Sequence, residues 1–391
     1  MQSYDVVIVG GGVMGSSVAY FLKGWLNFPG SVLVVERDPT YADAATPRAA
    51  GGIRQQFSTP ENIRMGQFAA DFIKKAGEYL AVDGDAPLIP FVENGYLFLA
   101  SGAGMDILRG NHEVQKSLGA NNVLLSADEI RARFPWMNTE DLAGGCYGLS
   151  NEGWTDPYGL LQAFRRKARA LGVTYLADTA TALKRDGNRM TAVTTKENGE
   201  IACGAVVNSS GYRAREIAAT AGIDLPVHPR KRLVYVFDCR EQLSRVPLTI
   251  EPNGVWFRPE GASYICGVSP DESDDPDCTN FEIDYSFYED LIWPTIATRV
   301  PAFEAIKLTR AWAGHYDYNT LDQNAILGPH PDIGNFYFCN GFSGHGLQQS
   351  PAVGRATAEL IVDGAYKSID LKRFGFERIL RNEPLREINV V

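Results

Sequence analysis

Tyr4-Asp5-Val6-Val7-Ile8-Val9-Gly10-Gly11-Gly12-Val13-Met14-Gly15 is the stretch whose reading decides the fold. Asp5 to Val9 reads as a short buried strand, mostly β-branched. Gly10, Gly12 and Gly15 match G-x-G-x-x-G, and Ser16 to Leu26 carries apolar residues at helical spacing. A second strand, Ser31 to Val35, ends at Glu36, about twenty residues past the last glycine, the spacing of a dinucleotide-binding fingerprint. Each part has a mechanical reason. Gly10 makes a tight turn, Gly12 lets backbone approach a pyrophosphate, and Gly15 brings helix close to strand. The helix N-terminus offers N–H groups and the positive end of its dipole to phosphate. Glu36 can accept hydrogen bonds from ribose hydroxyls, and its charge disfavours a 2′-phosphate.

Composition bounds what this nucleotide site can belong to. The 391 residues suffice for a large core and two domains, and 45% hydrophobic with 21% charged is ordinary globular composition. A net charge of -10 leaves no basic footprint, so nucleic acid is not an expected partner. No apolar run reaches membrane-spanning length, and the first strand begins too early to leave room for a cleaved signal peptide. The six cysteines are scattered without a C-x-x-C pair and read as reduced thiols of a cytoplasmic protein; the five histidines are dispersed, and no metal site is expected.

Outward from the fingerprint, Ala44 to Phe57 is dominated by small residues that permit close approach to backbone. Helices are expected over 60–80, 105–118, 156–171, 285–300 and 347–362, with Ser126 to Glu129 opening a further short one as a capping box. Strands are expected over 92–100, 173–176, 181–186, 190–195, 205–208, 233–238, 255–257, 264–268 and 307–318. Val206 to Gly211 and Asn335 to Gly346 repeat the strand–glycine–helix pattern, so the nucleotide-binding region occupies three separated segments. The expected domains are 1–80, 141–225 and 321–391 for nucleotide, and 81–140 and 226–320 for substrate. The acidic run 271–277 reads as a solvated loop. The fold class is α/β, a Rossmann-like domain with an antiparallel-sheet partner.

Val6–Gly15 with Glu36, Thr46–Ile53, Val206–Gly211 and Asn340–Gly346 together resemble the FAD-dependent D-amino-acid-oxidase superfamily, on its sarcosine oxidase, glycine oxidase and dimethylglycine dehydrogenase side. Gly51-Gly-Ile-Arg-Gln-Gln-Phe57 is also similar to the FAD-dependent oxidoreductase domain proteins linked to respiratory complex I assembly. The resemblance implies FAD. Gly10, Gly12, Val13, Met14, Gly15, Glu36 and Arg37 would hold its adenosine end. Thr46, Arg48, Ala49, Ala50, Gly51, Gly52 and Ile53 would line the flavin side, and Thr181 would supply the adenine-side strand contact. Ser210 and Gly211 would approach the pyrophosphate, and Gly344, His345, Gly346, Leu347 and Gln348 the isoalloxazine edge. A helix starting near Leu347 would stabilise negative charge developing on reduced flavin.

Departures from the pattern are informative. Where sarcosine oxidases attach flavin to a cysteine, this chain has Gly314, so noncovalent FAD is expected; their oxygen-activating lysine is matched by Ser269, which favours another acceptor over oxygen. Their second carboxylate-binding lysine is Gln348, and the arginine of glycine oxidases falls at Tyr316. Arg54, or Arg48, remains as the carboxylate clamp, with an ion pair or a flavin contact as the alternative. His345 contacts flavin or holds the turn, and either Arg54 or His345 in its protonated form could substitute for the missing oxygen-activating cation; Tyr316 shapes the substrate cavity or packs in the core. Tyr96, Tyr235, Trp256 and Arg258 lie on antiparallel strands expected to roof the flavin, with core or surface packing as the default for each. The resemblance thus implies hydride transfer from the carbon beside nitrogen to flavin N5 in a small amine or N-substituted amino acid, the imine then hydrolysing. Arg54, Tyr316 and His345 are the catalytic candidates. The alternatives are an assembly or scaffold protein with structural FAD, and a hydroxy-acid dehydrogenase.

Overall fold

The computed structural model describes residues 2–388; Met1 and residues 389–391, the ends of the expected nucleotide segments, lie outside the described residues. Along the chain, the elements that position the site are β1 (Ser3–Val9), α1 (Val13–Tyr20), β2 (Val32–Glu36), α2 (Pro60–Lys74), β3 (Gly199–Asn208), β4 (Val227–Cys239), β5 (Ile306–Asn319), β6 (Ile333–Asn340) and α3 (Gly346–Asp363).

The first sheet is built on β1. It pairs parallel with β3 on one side (Val9 opposite Asn208) and with β2 on the other (Val9 opposite Val35). Val6–Val9 and Val32–Val35 are buried, as expected of continuous apolar strands covered on both faces. Thr174–Ala177 extends the sheet beyond β2, and β6 joins β3 in parallel. Antiparallel strands Ala180–Asp186, Arg189–Thr195 and Ile326–His330 complete it. All of α1 is buried, and α3 lies directly against it. Gly354 makes that contact feasible, because a Cβ there would collide with Ser17. Ser17 Oγ donates to Ser350 O at 2.7 Å; Pro351 removes one helical donor, and Ser350 Oγ bonds the Leu347 carbonyl at 2.8 Å instead.

The second sheet runs β5, β4, Ser263–Gly267, Trp256–Glu260, Leu248–Ile250, Tyr96–Ala100, Gly144–Gly148 and Asn122–Ser126. It is antiparallel except that Leu248–Ile250 runs parallel to Tyr96–Ala100, a departure from the fully antiparallel expectation. Gly144–Gly148 belongs to this sheet although it lies past the expected boundary at 141. The long pair β4 and β5, running from Val227 opposite Asn319 to Cys239 opposite Ile306 with a register shift between Val236 and Phe237, carries the chain from one core into the other.

Several expected elements are divided. The strand expected over 92–100 breaks at Gly95, which has φ +83°. Phe91–Val92 enters a small third sheet with Gly153–Thr155, and Tyr96–Ala100 enters the large one. The helix expected to Leu26 is α-helical only to Tyr20 and continues as a π-turn, with Leu26 N bonded to Phe21 O at 3.0 Å. The helix over 285–300 likewise begins as a π-turn, Phe287–Ile292, and the one over 60–80 is interrupted at Lys75. The acidic run 271–277 is not simply solvated, since Asp275 is buried against Arg232. Among the described residues, no helix is long and apolar enough to cross a membrane, and no cluster of His, Cys, Asp and Glu could hold a metal ion.

Candidate active site

A cavity of about 310 Å³ opens where β1 turns into α1 and continues to the start of α3, roofed by β4 and β5. At its first end Gly10 adopts φ +95°, and a Cβ there would collide with Ser209 O. Gly15 has no room for a Cβ against Gly10 O, so this pair sets the strand-to-helix approach. Gly12 differs: its nearest obstacle is Thr46 Oγ1 at 3.6 Å, which leaves its backbone open to the cavity. Val13 N donates to Thr46 Oγ1 at 3.2 Å. Glu36 lines the cavity while its two oxygens accept from Gly11 N (2.8 Å) and Asp38 N (2.9 Å). Burial pushes its carboxyl above the usual range. Arg37 reaches Tyr212 Oη at 2.7 Å, and Ser210 Oγ donates to Asn208 Oδ1 at 2.6 Å beside Gly211.

At the other end, Gly341 (φ +71°), Ser343 (φ +49°) and Gly344 (φ +98°) form a turn braced by β5. Ser343 N donates to Asp317 O at 3.1 Å and Ser343 Oγ accepts from Asn319 N at 3.0 Å. A Cβ on Gly344 would lie 2.5 Å from the Tyr316 ring, so the glycine seats that ring against the turn. His345 follows as the N-cap of α3.

Arg54 is 3% exposed on the cavity wall. Its Nη2 lies 3.0 Å from His345 Nε2, and its guanidinium stacks 4.5 Å from the Phe57 ring and 5.1 Å from that of Phe98. Arginine can only donate, so His345 Nε2 accepts and the ring proton resides on Nδ1. Burial and the Arg54 charge push His345 down to about 3. It is therefore neutral at physiological pH, which corrects the reading of His345 as a protonated cation. Gln348 Oε1 accepts from Arg54 N at 2.9 Å. Behind this group, Glu152 accepts from Gln55 N (2.8 Å) and Gln56 Nε2 (2.7 Å). Burial raises its carboxyl to about 7.

Arg48 is bonded to protein groups throughout its fork: its Nε, Nη1 and Nη2 donate to Ala42 O, Ala313 O and Asp43. Ala49, Ala50, Gly51 and Gly52 line the cavity beside it, as do Met14, Gly346 and Leu347. Three expected contacts lie off the wall. Gly15 is behind the turn, Ile53 pairs with Gly153 in the small sheet, and Thr181 is exposed and donates to Thr194 O at 3.2 Å. The wall near Thr181 is instead Asp178, Thr179 and Ala180, a shift that follows from the irregular pairing between Ala180 and Ala182. Tyr96 and Trp256 do line the roof, whereas Tyr235 packs in the core behind it and Arg258 braces Ala50 O from outside. Gly314 and Ser269 lie on the wall.

Sequence reasoning missed Arg232 and Asp317. Arg232 follows from strand alternation with Val234 once β4 is known to roof the cavity, whereas Asp317, which directly follows Tyr316 on β5, is not given by alternation. Asp317 is half-buried, and burial holds its carboxyl up at about 6.

This donor set suits a flavin dinucleotide. A glycine turn and helix start lie near the half-buried Glu36 carboxylate at one end, and a second helix start lies beside a buried guanidinium at the other. A family model described as FAD dependent oxidoreductase (DAO) matches residues 5–360. The chain is 47% identical over 422 residues to FAD-dependent oxidoreductase domain-containing protein 1 of Xenopus laevis, covering 99% of this chain and 85% of that protein. Its identity to the protein of the same description from Bos taurus is 44% over 418 residues, covering 98% and 86%. Among solved structures, L-proline dehydrogenase from P. horikoshii superposes with a TM-score of 0.87 at 25% identity, covering 98% of this chain and 100% of that one.

Proposed function

Because the chain belongs to the DAO family of FAD-dependent oxidoreductases, we propose that it oxidises the C–N bond of a small amine or N-substituted amino acid that bears a carboxylate. The observation that carries this reading is Arg54, a buried guanidinium on the cavity wall held in place by a neutral His345. FAD, when bound, supplies the acceptor for the hydride leaving the carbon beside nitrogen. The chain's own residues bind, orient and exclude water. Arg54 pairs with the substrate carboxylate through charge-assisted donors, strong where water is scarce. Tyr96 and Tyr316 wall the reacting carbon, and burial keeps both phenols protonated. His345 Nε2 is occupied by Arg54, so it orients rather than carries a proton. The amine nitrogen enters deprotonated, its proton left to solvent, and the iminium product adds water and separates. Positioning then carries much of the rate. The likeness to an L-proline dehydrogenase supports an amine substrate, proline being a secondary amine beside a carboxylate.

On this reading FAD is bound noncovalently, because Gly314 offers no sulfur where the family's linkage falls. Acid precipitation should release the yellow cofactor into the supernatant. Six cysteines without a disulfide among them support a reducing compartment, on our reading the cytoplasm. The decisive experiment is an anaerobic screen of amines, secondary amino acids and hydroxy acids against the flavin's visible absorbance. Bleaching by an amine supports the proposal, bleaching by hydroxy acids alone overturns it, and no bleaching by any compound leaves FAD with a structural role.

A further inference from the structure

The geometry points to Arg232 as a second carboxylate-binding residue of the cavity, so that the substrate class is an amine flanked by two carboxylates, such as an N-carboxyalkyl amino acid. This rests on the amine-oxidising reading above and narrows it.

Arg232 is on the cavity face of β4, the face that Val234 and Val236 also present toward Ala50. Its partner in register on β5 is Gly314, so no side chain opposite competes for the space. The guanidinium lies 5.0 Å from the centroid of the Tyr316 ring. Tyr316 rests on Gly344, which precedes His345, and His345 holds Arg54. Two buried arginines therefore flank one tyrosine, and both pull its phenol pKa down against the larger effect of burial.

Arg232 is also held as a binding residue would be. Asp275 takes its two terminal nitrogens side by side, at 2.8 and 2.7 Å, and Lys231 O takes a further bond at 2.9 Å. That bidentate grip fixes the plane of the fork. Yet Nε, in a residue 8% exposed, has no partner among the described residues. Buried donors without partners are rare in folded proteins and cost stability. A ligand oxygen would complete this one without displacing Asp275. A substrate with one carboxylate satisfies Arg54 and leaves Nε bare, whereas a second carboxylate satisfies both. A site built with a polar group discriminates strongly against a ligand lacking its counterpart.

The test uses the FAD-bound enzyme and ligands it cannot oxidise, read by perturbation of the oxidised flavin spectrum. Oxydiacetate replaces the amine nitrogen with oxygen and keeps two carboxylates, and methoxyacetate keeps one. Succinate and glutarate against propionate and butyrate vary the spacing. The expected result is at least one dicarboxylate binding about ten-fold tighter than its monocarboxylate counterpart, the scale of one charge-assisted bond. Arg232→Met should erase that ratio. Arg232→Lys, which keeps the charge but not Nε, should fall between, and serves if the methionine variant loses FAD. Asp275→Asn should retain the ratio; a merely structural ion pair would lower stability without moving any ratio in the Arg232 variants. Monocarboxylates that bind as well as every dicarboxylate, or a ratio untouched by Arg232→Met and Arg232→Lys, would overturn the inference alone. If no carboxylate perturbs the flavin and no amine bleaches it, the amine reading falls as well.

Discussion

At the scale of single residues, the chemistry depends on charges held where water is scarce. Arg54 and Arg48 stood out in the sequence because the family's other carboxylate-binding positions are Gln348 and Tyr316 here, but nothing local told the two arginines apart. They differ in the structure because the fork of Arg48 is consumed by Ala42 O, six residues away, and by Ala313 O, which only β5 brings near. Arg54→Met should retain FAD and lower kcat/KM for the true substrate by about 2–3 kcal/mol of transition-state stabilisation, measured by anaerobic reduction kinetics. Unchanged kinetics would remove Arg54 from the site. Glu152 gives a pH prediction. Its carboxyl is raised from 4.5 to about 7, so between those values the folded chain holds a proton that the unfolded chain has lost. Stability from this group is complete below pH 4.5 and is lost as pH rises through 7. The difference in unfolding free energy between wild type and Glu152→Gln should shift across that window in favour of the variant, by about 3 kcal/mol in total. Chemical denaturation at pH 5, 6, 7 and 8 measures it, and a pH-independent difference would show that Glu152 titrates normally.

At the scale of elements, what could be read was what a local rule governs. Strand, glycine turn and helix at Val6–Gly15 follow from β-branching, a positive φ and helical spacing, and the capping box at Ser126–Glu129 forms as expected. What could not be read was set by partners far away in sequence. Gly144–Gly148 has poor strand composition and pairs because its neighbours leave no room: Cβ atoms would collide with Leu125 O at Gly144 and lie 2.6 Å from Phe98 O at Gly145. The π-turn after Tyr20 carries no signal in the sequence, and its Gly24 leaves room for Leu171, which a Cβ there would approach to 2.8 Å. The turn at Gly10 gives a prediction at this scale. Gly10→Ala adds a methyl against Ser209 O at φ +95°, which no helical or extended residue tolerates. The variant should fold with little or no FAD, read as the ratio of flavin to protein absorbance; full occupancy would show that the turn relaxes at no cost.

At the scale of the whole molecule, two sheets meet over one cavity, and what they bring there bears on our expectation for the electron acceptor. Ser269, from the second sheet's connecting loop, lies on the wall at the position matched to the family's oxygen-activating lysine; of the two groups that could substitute for that cation, His345 is neutral and Arg54 is engaged by His345. We expect the reduced enzyme to reoxidise slowly in air relative to a quinone or phenazine, and Ser269→Lys to accelerate the oxygen reaction. Stopped-flow mixing with aerated buffer measures both. Wild-type reoxidation as fast as turnover would make oxygen the working acceptor. The pairing of the two sheets was only partly legible, because the register of β4 on β5 over thirteen residue pairs, from Val227 to Cys239, leaves no local signature.

The contact between Ser17 and Ser350 joins positions 333 residues apart. A ribosome adding roughly 5–20 residues per second takes on the order of 15–70 seconds to deliver the second partner after the first. Throughout that interval the apolar faces of α1 have no α3 to cover them, and the cavity has one wall missing. The nucleotide-binding half is thus the first to be made and among the last to close. Nascent chains halted before Gly346 should be digested readily by a protease that spares the released protein, and should recruit chaperones in proportion to the length of the pause.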